Sequence, residues 1–172
     1  GIKISNLLRK FGIDITKKLF AQVHNSLGGH VRLFISGAAG IDPLVSKGFR
    51  DLGIPLIQGY GLTECAPIVA LNRDIYYKDD AAGLPLPGVE VKIDHPDADG
   101  VGEIIAKGPN VMLGYYEDEK ATSKALKNGW FHTGDLGYID SDGFVHITGR
   151  EKDVIVTKNG KNIYPEEIET LL

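Results

Sequence analysis

The sequence has little of what would assign it to several large classes of protein. It contains a single cysteine, Cys65, among 172 residues, so it can form no internal disulfide, and this favours a reducing compartment. Its apolar runs are short, far below the roughly 20 residues needed to cross a bilayer. It has 19 basic and 23 acidic residues and no run of lysine or arginine, which argues against a nucleic-acid surface. These absences predict a cytoplasmic protein with no nucleic-acid partner.

Metal-binding and nucleophilic patterns are also missing. The five histidines are scattered, and none lies at a zinc-type spacing from another ligand. His132 has no nucleophile beside it, and Cys65 has no neighbouring base, so Cys65 is interpreted as a small apolar filler. The acidic loop at residues 95–100 is more typical of a solvated turn than of a calcium site.

What the sequence does have is 22 glycines and 8 prolines, well above average usage, and this predicts many sharp turns. Residues 1–82 alternate helical segments with short apolar strands, which is typical of parallel α/β packing. The expected elements are a helix over residues 17–27, a strand over 31–35, a helix from Pro43 to Gly53 capped by Asp42, and a strand over 54–57.

From residue 83 onwards the pattern changes to successive strands, which predicts a small antiparallel β unit over residues 83–148, after a boundary at 83–88. Its expected strands cover residues 89–94, 102–107, 136–140 and 144–148, with a hairpin turn at 142–143 and a short helix over 117–126. A third unit, residues 149–172, contains a predicted hairpin around Asn159-Gly160 and the start of a helix at Pro165.

The segment over residues 57–64 is the most informative for chemistry. Two glycines flank Tyr60 directly after a buried strand, and a ligand can approach such a backbone closely. Thr63 offers a hydroxyl to a phosphate oxygen, and Glu64 offers a hard oxygen ligand suited to Mg²⁺. The alternative interpretation is that the glycines only turn the chain and that Thr63 and Glu64 cap a helix.

Two further segments suit nucleotide binding, and each also has a structural alternative. Asp135 follows Gly134, where a carboxylate can accept hydrogen bonds from ribose hydroxyls, or can instead satisfy its own turn. Arg150 begins a charged run that can hold a hydroxyl or phosphate, or can be a solvated linker that acts as a hinge.

Four motifs taken together resemble the AMP-forming adenylating family, which includes acyl-CoA synthetases, firefly luciferase and the adenylation domains of peptide synthetases. They lie in the family's order at residues 58–64, 102–116, 130–135 and 149–153, with the sequences QGYGLTE, GEIIAKGPNVMLGYY, WFHTGD and GREKD. Residues 18–36 and 159–169 most resemble the long-chain fatty acid–CoA ligase branch. The resemblance implies the second part of a large domain, parallel α/β followed by antiparallel β, and then the hinge and first hairpin of a C-terminal α+β lid domain.

The resemblance also implies a reaction of ATP, Mg²⁺, a fatty acid and CoA, in which an acyl-adenylate forms first and a thioester second. Thr63 is expected to act at the α-phosphate, Glu64 to bind Mg²⁺, and Lys152 to be the hinge. The expected ATP and AMP contacts are Ala38, Ala39 and Gly40 around the adenine, Tyr60 against its face, Gly61 and Thr63, and Asp135 and Arg150 on the ribose. The expected acyl pocket is bordered by Ser36, Gly37, Gly59 and Gly61, and the CoA site lies near Gly160.

One residue departs from the family pattern, because Ala38 stands where the family usually has a second glycine. The chain also begins at Gly1 and ends at Leu172 within a helical pattern, so we expect an internal fragment. The resemblance places the phosphate-binding loop before Gly1 and the adenylation lysine after Leu172. We therefore expect that the fragment makes no acyl-CoA alone and self-associates through an exposed sheet edge.

Several alternatives stay open at this point. Within the same chemistry, the protein could activate another acyl or aryl acid, load a carrier protein, or act as a luciferase-like oxidase. In a different class, it could be a nucleotide-binding module without catalysis. The resemblance also leaves a peripheral membrane location of the whole protein open.

Overall fold

The computed structural model describes residues 1–157 and 162–165. The N-terminal part is helical, with α1 at Ile2–Arg9, α2 at Thr16–Leu19 and α3 at Ala21–Ser26. The single helix expected over residues 17–27 is therefore two short helices, because Phe20 leaves helical geometry with φ −112° and ψ 31°. Asp14 marks the start of α2, since its carboxylate accepts the Thr16 N–H at 2.8 Å.

A mixed four-stranded sheet follows. Its elements are β1 at Phe34–Ser36, α4 at Pro43–Asp51, β2 at Leu56–Gly61, β3 at Ile68–Leu71 and β4 at Leu84–Pro85. The predicted cap of α4 is confirmed, because Asp42 accepts the Leu44 N–H at 2.7 Å. The predicted parallel pairing is present between β1 and β2, whereas β3 and β4 add to the sheet antiparallel.

A second, five-stranded sheet contains only antiparallel pairs, as expected for this part of the chain. Its elements are β5 at Glu90–Asp94, β6 at Gly102–Lys107, α5 at Glu119–Ala125, β7 at Leu126–Lys127, β8 at Trp130–Ile139 and β9 at Val145–Arg150. The strands lie in the order β5-β6-β8-β7, and β9 pairs with β8. β8 begins at Trp130, before the expected start at residue 136, because its first half pairs with β6 and β7.

The two sheets share one hydrophobic core. Buried residues from both sheets belong to the same cluster: Tyr60, Cys65, Val69, Ala70, Ala82, Ile104, Ala106, Phe131 and Val145. The backbone joins the sheets directly, because the Ala82 N–H donates to the Val145 carbonyl at 2.8 Å and the Val145 N–H donates to the Gly83 carbonyl at 2.9 Å. The strand β4 also places residues of the predicted 83–88 boundary inside the first sheet.

The chain leaves the second sheet through a short 3₁₀ turn at Glu151–Asp153. The strands β10 at Ile155–Val156 and β11 at Asn162–Ile163 then pair antiparallel. The predicted turn at residues 159–160 and most of the predicted last helix lie outside the described residues. Within the described ranges, no helix has the length and apolar character that a membrane span requires.

Candidate functional site

Asp135 is bound by two other residues of the predicted nucleotide site. The Tyr60 hydroxyl donates to Asp135 Oδ2 at 2.6 Å, and the Arg150 Nε–H donates to Asp135 Oδ1 at 2.6 Å. Burial, and then the charge of Asp135, raises the pKa of Tyr60, while the hydrogen bond to Asp135 raises the pKa of Arg150. At neutral pH the hydroxyl is therefore protonated and the guanidinium charged, so both donate to the carboxylate.

A bulge in β8 sets the position of Asp135. Between the pairs that flank the bulge, β8 contains more residues than β6, and such an irregularity redirects side chains. Glu103 on β6 secures the bulge, because Oε1 accepts the Gly134 N–H at 3.0 Å and Oε2 lies 2.7 Å from His132 Nδ1. The Thr133 hydroxyl accepts the Asp135 N–H at 3.0 Å. This contact of His132 was not predicted from the sequence, since Glu103 lies 29 residues away and no local spacing connects the two residues.

Glu64 lies in a 3₁₀ turn, Thr63–Cys65, which directly follows β2. Its Oε1 accepts the Tyr115 hydroxyl at 2.9 Å, and its backbone carbonyl accepts the Met112 N–H at 2.7 Å. No hydrogen bond to Glu64 Oε2 is present among the described residues. A half-buried carboxylate with one oxygen open is a donor that suits a hard divalent cation, so Glu64 fits Mg²⁺. Thr63 is exposed beside it.

The glycines around Tyr60 lie in a strand, whereas the sequence predicted that they follow one. Gly59 and Gly61 lie in β2, opposite Leu71 and Ile68 of β3, rather than in a turn. A Cβ at Gly59 would lie 2.7 Å from Leu71 Cδ1, and one at Gly61 would collide with the Pro67 backbone. The close approach of β3 therefore explains why both positions are glycine.

The small-residue loop after β1 lies beside the end of β2. Gln58 connects the two, because it is opposite Ser36 in the parallel pair and its Oε1 accepts the Ile41 N–H at 3.3 Å. Ala38 has φ +72°, a left-handed conformation that glycine adopts freely and alanine does not. This conformation gives the physical reason why the family usually has glycine there. Ala38 and the two residues after it, Ala39 and Gly40, are exposed, and the Gly37 backbone lies near the Gly59 carbonyl.

Three predicted residues remain: Lys152, Gly160 and Tyr60. Lys152 is exposed in the 3₁₀ turn, two residues after Arg150. Gly160, the predicted CoA contact, lies outside the described residues. Tyr60 packs in the shared core, and 7% of the residue's surface is exposed. Its contact with adenine stays a prediction.

One cluster of potential metal ligands was not expected from the sequence. The ligand atoms of Asp94, Glu103 and His132 all lie within 4.8 Å of one another. Both acids already have partners, since Glu103 contacts His132 and Gly134 while Asp94 Oδ2 lies 2.9 Å from His95 Nδ1. These contacts account for the cluster without a metal.

Comparison with known proteins identifies the family. Residues 5–116 match the family model described as AMP-binding enzyme, which is more than half of the chain. The chain belongs to the AMP-binding enzyme family. The resemblance drawn from the four motifs is thereby confirmed. The long-chain-fatty-acid–CoA ligase of Salmonella typhimurium is 41% identical over 159 residues, which are 89% of this chain and 27% of that protein. The chain thus spans about a quarter of such a relative.

Solved structures of AMP-binding enzymes confirm the fold. The o-succinylbenzoate CoA synthetase of Bacillus subtilis in complex with its acyl-adenylate intermediate superimposes with a TM-score of 0.77 and 33% identity, over 91% of this chain and 34% of that chain. The same enzyme in complex with ATP and magnesium gives a TM-score of 0.76 and 32% identity, over 90% of this chain and 34% of that chain.

Proposed function

We propose that this chain is the nucleotide-binding part of an AMP-forming acid–CoA ligase that activates long-chain fatty acids. The enzyme would join the fatty acid to ATP as an acyl-adenylate, release pyrophosphate, and transfer the acyl group to CoA. The observation that carries the proposal is the set of hydrogen bonds that Tyr60 and Arg150 donate to Asp135. This set presents an oriented carboxylate, and its donor Tyr60 lies three residues before Thr63, the predicted phosphate contact.

The nucleotide roles follow from the contacts of each side chain. Each oxygen of Asp135 already accepts one hydrogen bond and can accept a second from a ribose hydroxyl. Arg150 is exposed and keeps further N–H donors free of Asp135 for the same ribose. Thr63 would donate to the α-phosphate. Bound at Glu64, Mg²⁺ would neutralise charge that develops on the phosphates.

The other contacts that we propose come from small residues, which leave the backbone accessible to a ligand. The exposed loop over residues 38–40 would border the adenine, and Ser36, Gly37, Gly59 and Gly61 would border the acyl group. Apolar burial stabilises a bound chain by about 0.8 kcal/mol per CH₂, so a long acyl chain needs little polar recognition. Identity of 41% with a long-chain-fatty-acid–CoA ligase supports this substrate class. Lys152 as hinge and Gly160 as CoA contact are part of the same proposal, as is a cytoplasmic location.

One observation favours a second candidate substrate. The o-succinylbenzoate CoA synthetase structures match the fold over 91% of this chain, so an aryl acid is the alternative to a fatty acid. In both cases the first half-reaction is adenylation and the acceptor is CoA.

The test is pyrophosphate release by the full-length protein that contains this chain. With ATP and Mg²⁺, we expect palmitate to give a higher kcat/KM than octanoate or o-succinylbenzoate, and added CoA to yield the thioester. Glu64→Ala should lose most of this activity, whereas Asp99→Ala, a change in an exposed turn, should retain it. We expect no release from the 172-residue chain alone.

Three results would contradict parts of the proposal. Preference for o-succinylbenzoate would select the aryl-acid alternative. AMP binding without pyrophosphate release for any acid would indicate a nucleotide-binding module. Pyrophosphate release by the isolated chain would overturn the prediction that it is inactive.

A further inference from the structure

Residues 108–115, here called the strap, contact the Thr63–Cys65 turn at three points. Asn110 Nδ2 donates to the carbonyls of Cys65 and Ile68, each at 2.9 Å. The Met112 N–H donates to the Glu64 carbonyl at 2.7 Å, and the Tyr115 hydroxyl donates to Glu64 Oε1 at 2.9 Å. The strap therefore holds the backbone at Glu64 and directly after it, as well as the Glu64 side chain.

The contact between Tyr115 and Glu64 is not a consequence of core packing. Tyr115 is 38% exposed, and Glu64 is half-buried, so water could solvate both groups. The two residues lie 51 positions apart, and only the path of the strap brings them together. A hydrogen bond at this place selects one rotamer of the carboxylate, in which Oε1 is used by Tyr115 and Oε2 stays open.

The chemistry of the donor also matters. A lysine or arginine at this position would offset the negative charge of Glu64 and so compete with a cation for it. The tyrosine hydroxyl is neutral, so it orients the carboxylate and leaves its charge in place. This combination suits a carboxylate that binds a divalent cation through a single oxygen.

We propose that Tyr115 is a positioning residue that holds Glu64 so that Oε2 faces the divalent cation accompanying ATP. The proposal rests on the function proposed above, in which Glu64 is the cation ligand. Tyr115→Phe removes only the hydroxyl and keeps the ring. The loss of one such hydrogen bond corresponds to about three- to ten-fold weaker binding of the cation.

The experiment measures binding rather than turnover, in the full-length protein. Free Mn²⁺ is followed by electron paramagnetic resonance during titration with α,β-methylene-ATP present and the protein in excess over it, so that little unbound nucleotide is left to chelate the metal. Tyr115→Phe should raise the Kd for Mn²⁺ three- to ten-fold. The matched control, Tyr116→Phe, changes the adjacent tyrosine, which is 90% exposed, and should leave the Kd unchanged. Affinity for AMP without metal, measured by calorimetry, should be the same in both variants.

The other outcomes separate this inference from the proposed function. An unchanged Mn²⁺ affinity in Tyr115→Phe, together with a large loss in Glu64→Gln, would overturn the role of Tyr115 and leave that of Glu64 intact. An unchanged affinity in Glu64→Gln would overturn both. An equal loss of metal-free AMP affinity in Tyr115→Phe would show a general structural effect and would also overturn the inference.

Discussion

Asp135 and Arg150 lie directly opposite each other on β8 and β9, joined by the hydrogen bond from Arg150 Nε. Their exposure differs, because 9% of the Asp135 side chain and 56% of the Arg150 side chain are accessible. A buried carboxylate is thus paired with a guanidinium that reaches solvent. The strand register thus places the two side chains of the candidate ribose site next to each other.

Replacing Asp135 should weaken nucleotide binding strongly. Asp135→Asn keeps the shape of the side chain but removes the charge that both Tyr60 and Arg150 contact. Hydrogen bonds to charged groups contribute about 1.5–3 kcal/mol, so AMP affinity should fall on the order of 10- to 100-fold. Calorimetric titration of the full-length protein with AMP measures this, with Asp99→Asn as a control in an exposed turn. A loss below two-fold would argue against Asp135 as a ribose ligand.

Replacing Gly61, the last residue of β2, should lower the stability of the fold. A methyl group at Gly61 would collide with the Pro67 backbone, so we expect Gly61→Ala to reduce the free energy of unfolding by about 2–3 kcal/mol. Gly48 is the matched control, because it lies within α4 and a Cβ there has no neighbour within 4 Å. Gly48→Ala should instead raise stability by about 0.5–1 kcal/mol. Urea denaturation compares the two, and equal effects would contradict the steric explanation.

The contact of Lys78 with Asp140 should make stability depend on acid pH. The Lys78 ammonium, 2.6 Å from Asp140, holds the pKa of that carboxyl well below its usual value of 3.8. A carboxyl group whose pKa is lower in the folded than in the unfolded protein contributes stability at pH values above its unfolded-state pKa. This contribution is lost as the pH falls from there through the folded-state pKa. Asp140→Asn should therefore lower the urea midpoint at pH 7, and the difference from wild type should shrink below about pH 4.

The exposed partner of the same lysine provides the control for this prediction. Asp142 also lies 2.6 Å from Lys78, but 54% of its side chain is accessible. Asp142→Asn should have a smaller effect at pH 7, because water screens exposed pairs. An Asp140→Asn difference that grows on acidification would contradict the linkage.

The single thiol should be unreactive in the folded protein. Cys65 is 0% exposed, and burial, followed by the charge of Glu64, raises its pKa to about 11. Because the thiolate is the reactive form, we expect Ellman's reagent at pH 8 to modify Cys65 only when the chain opens. Modification without denaturant at the rate seen in urea would contradict this prediction, because it would show that the Cys65 thiol is accessible in the folded protein.

Local signals in the sequence predicted the local features of the fold. The Asp42 cap and the start of α4 at Pro43 depend on neighbouring residues, and both are confirmed. Likewise, the alternation of short strands predicted the antiparallel second sheet. By contrast, the sequence did not predict β3, and it predicted that the strand ends before Tyr60 and Gly61. The strand β2 extends to Gly61 because it pairs there with β3, whose residues come later in the chain.

The candidate site shows the same division. Asp135, Arg150 and Tyr60 were singled out one by one, and the structure brings them into direct contact. The residues that orient the site were not found, because Glu103 and Tyr115 act through partners 29 and 51 positions away. Such contacts arise from strand register and from the path of the strap, and neither has a signature in a short stretch of sequence.

The reciprocal backbone bonds between Val145 and residues 82–83 have a practical consequence for dissecting this protein. If the pieces on either side of residue 83 were expressed separately, these hydrogen bonds could not form. The apolar residues that now pack between the two sheets would be exposed to water in each piece. Any domain swap or fusion made with a relative should therefore carry both sheets together, with its junctions placed elsewhere.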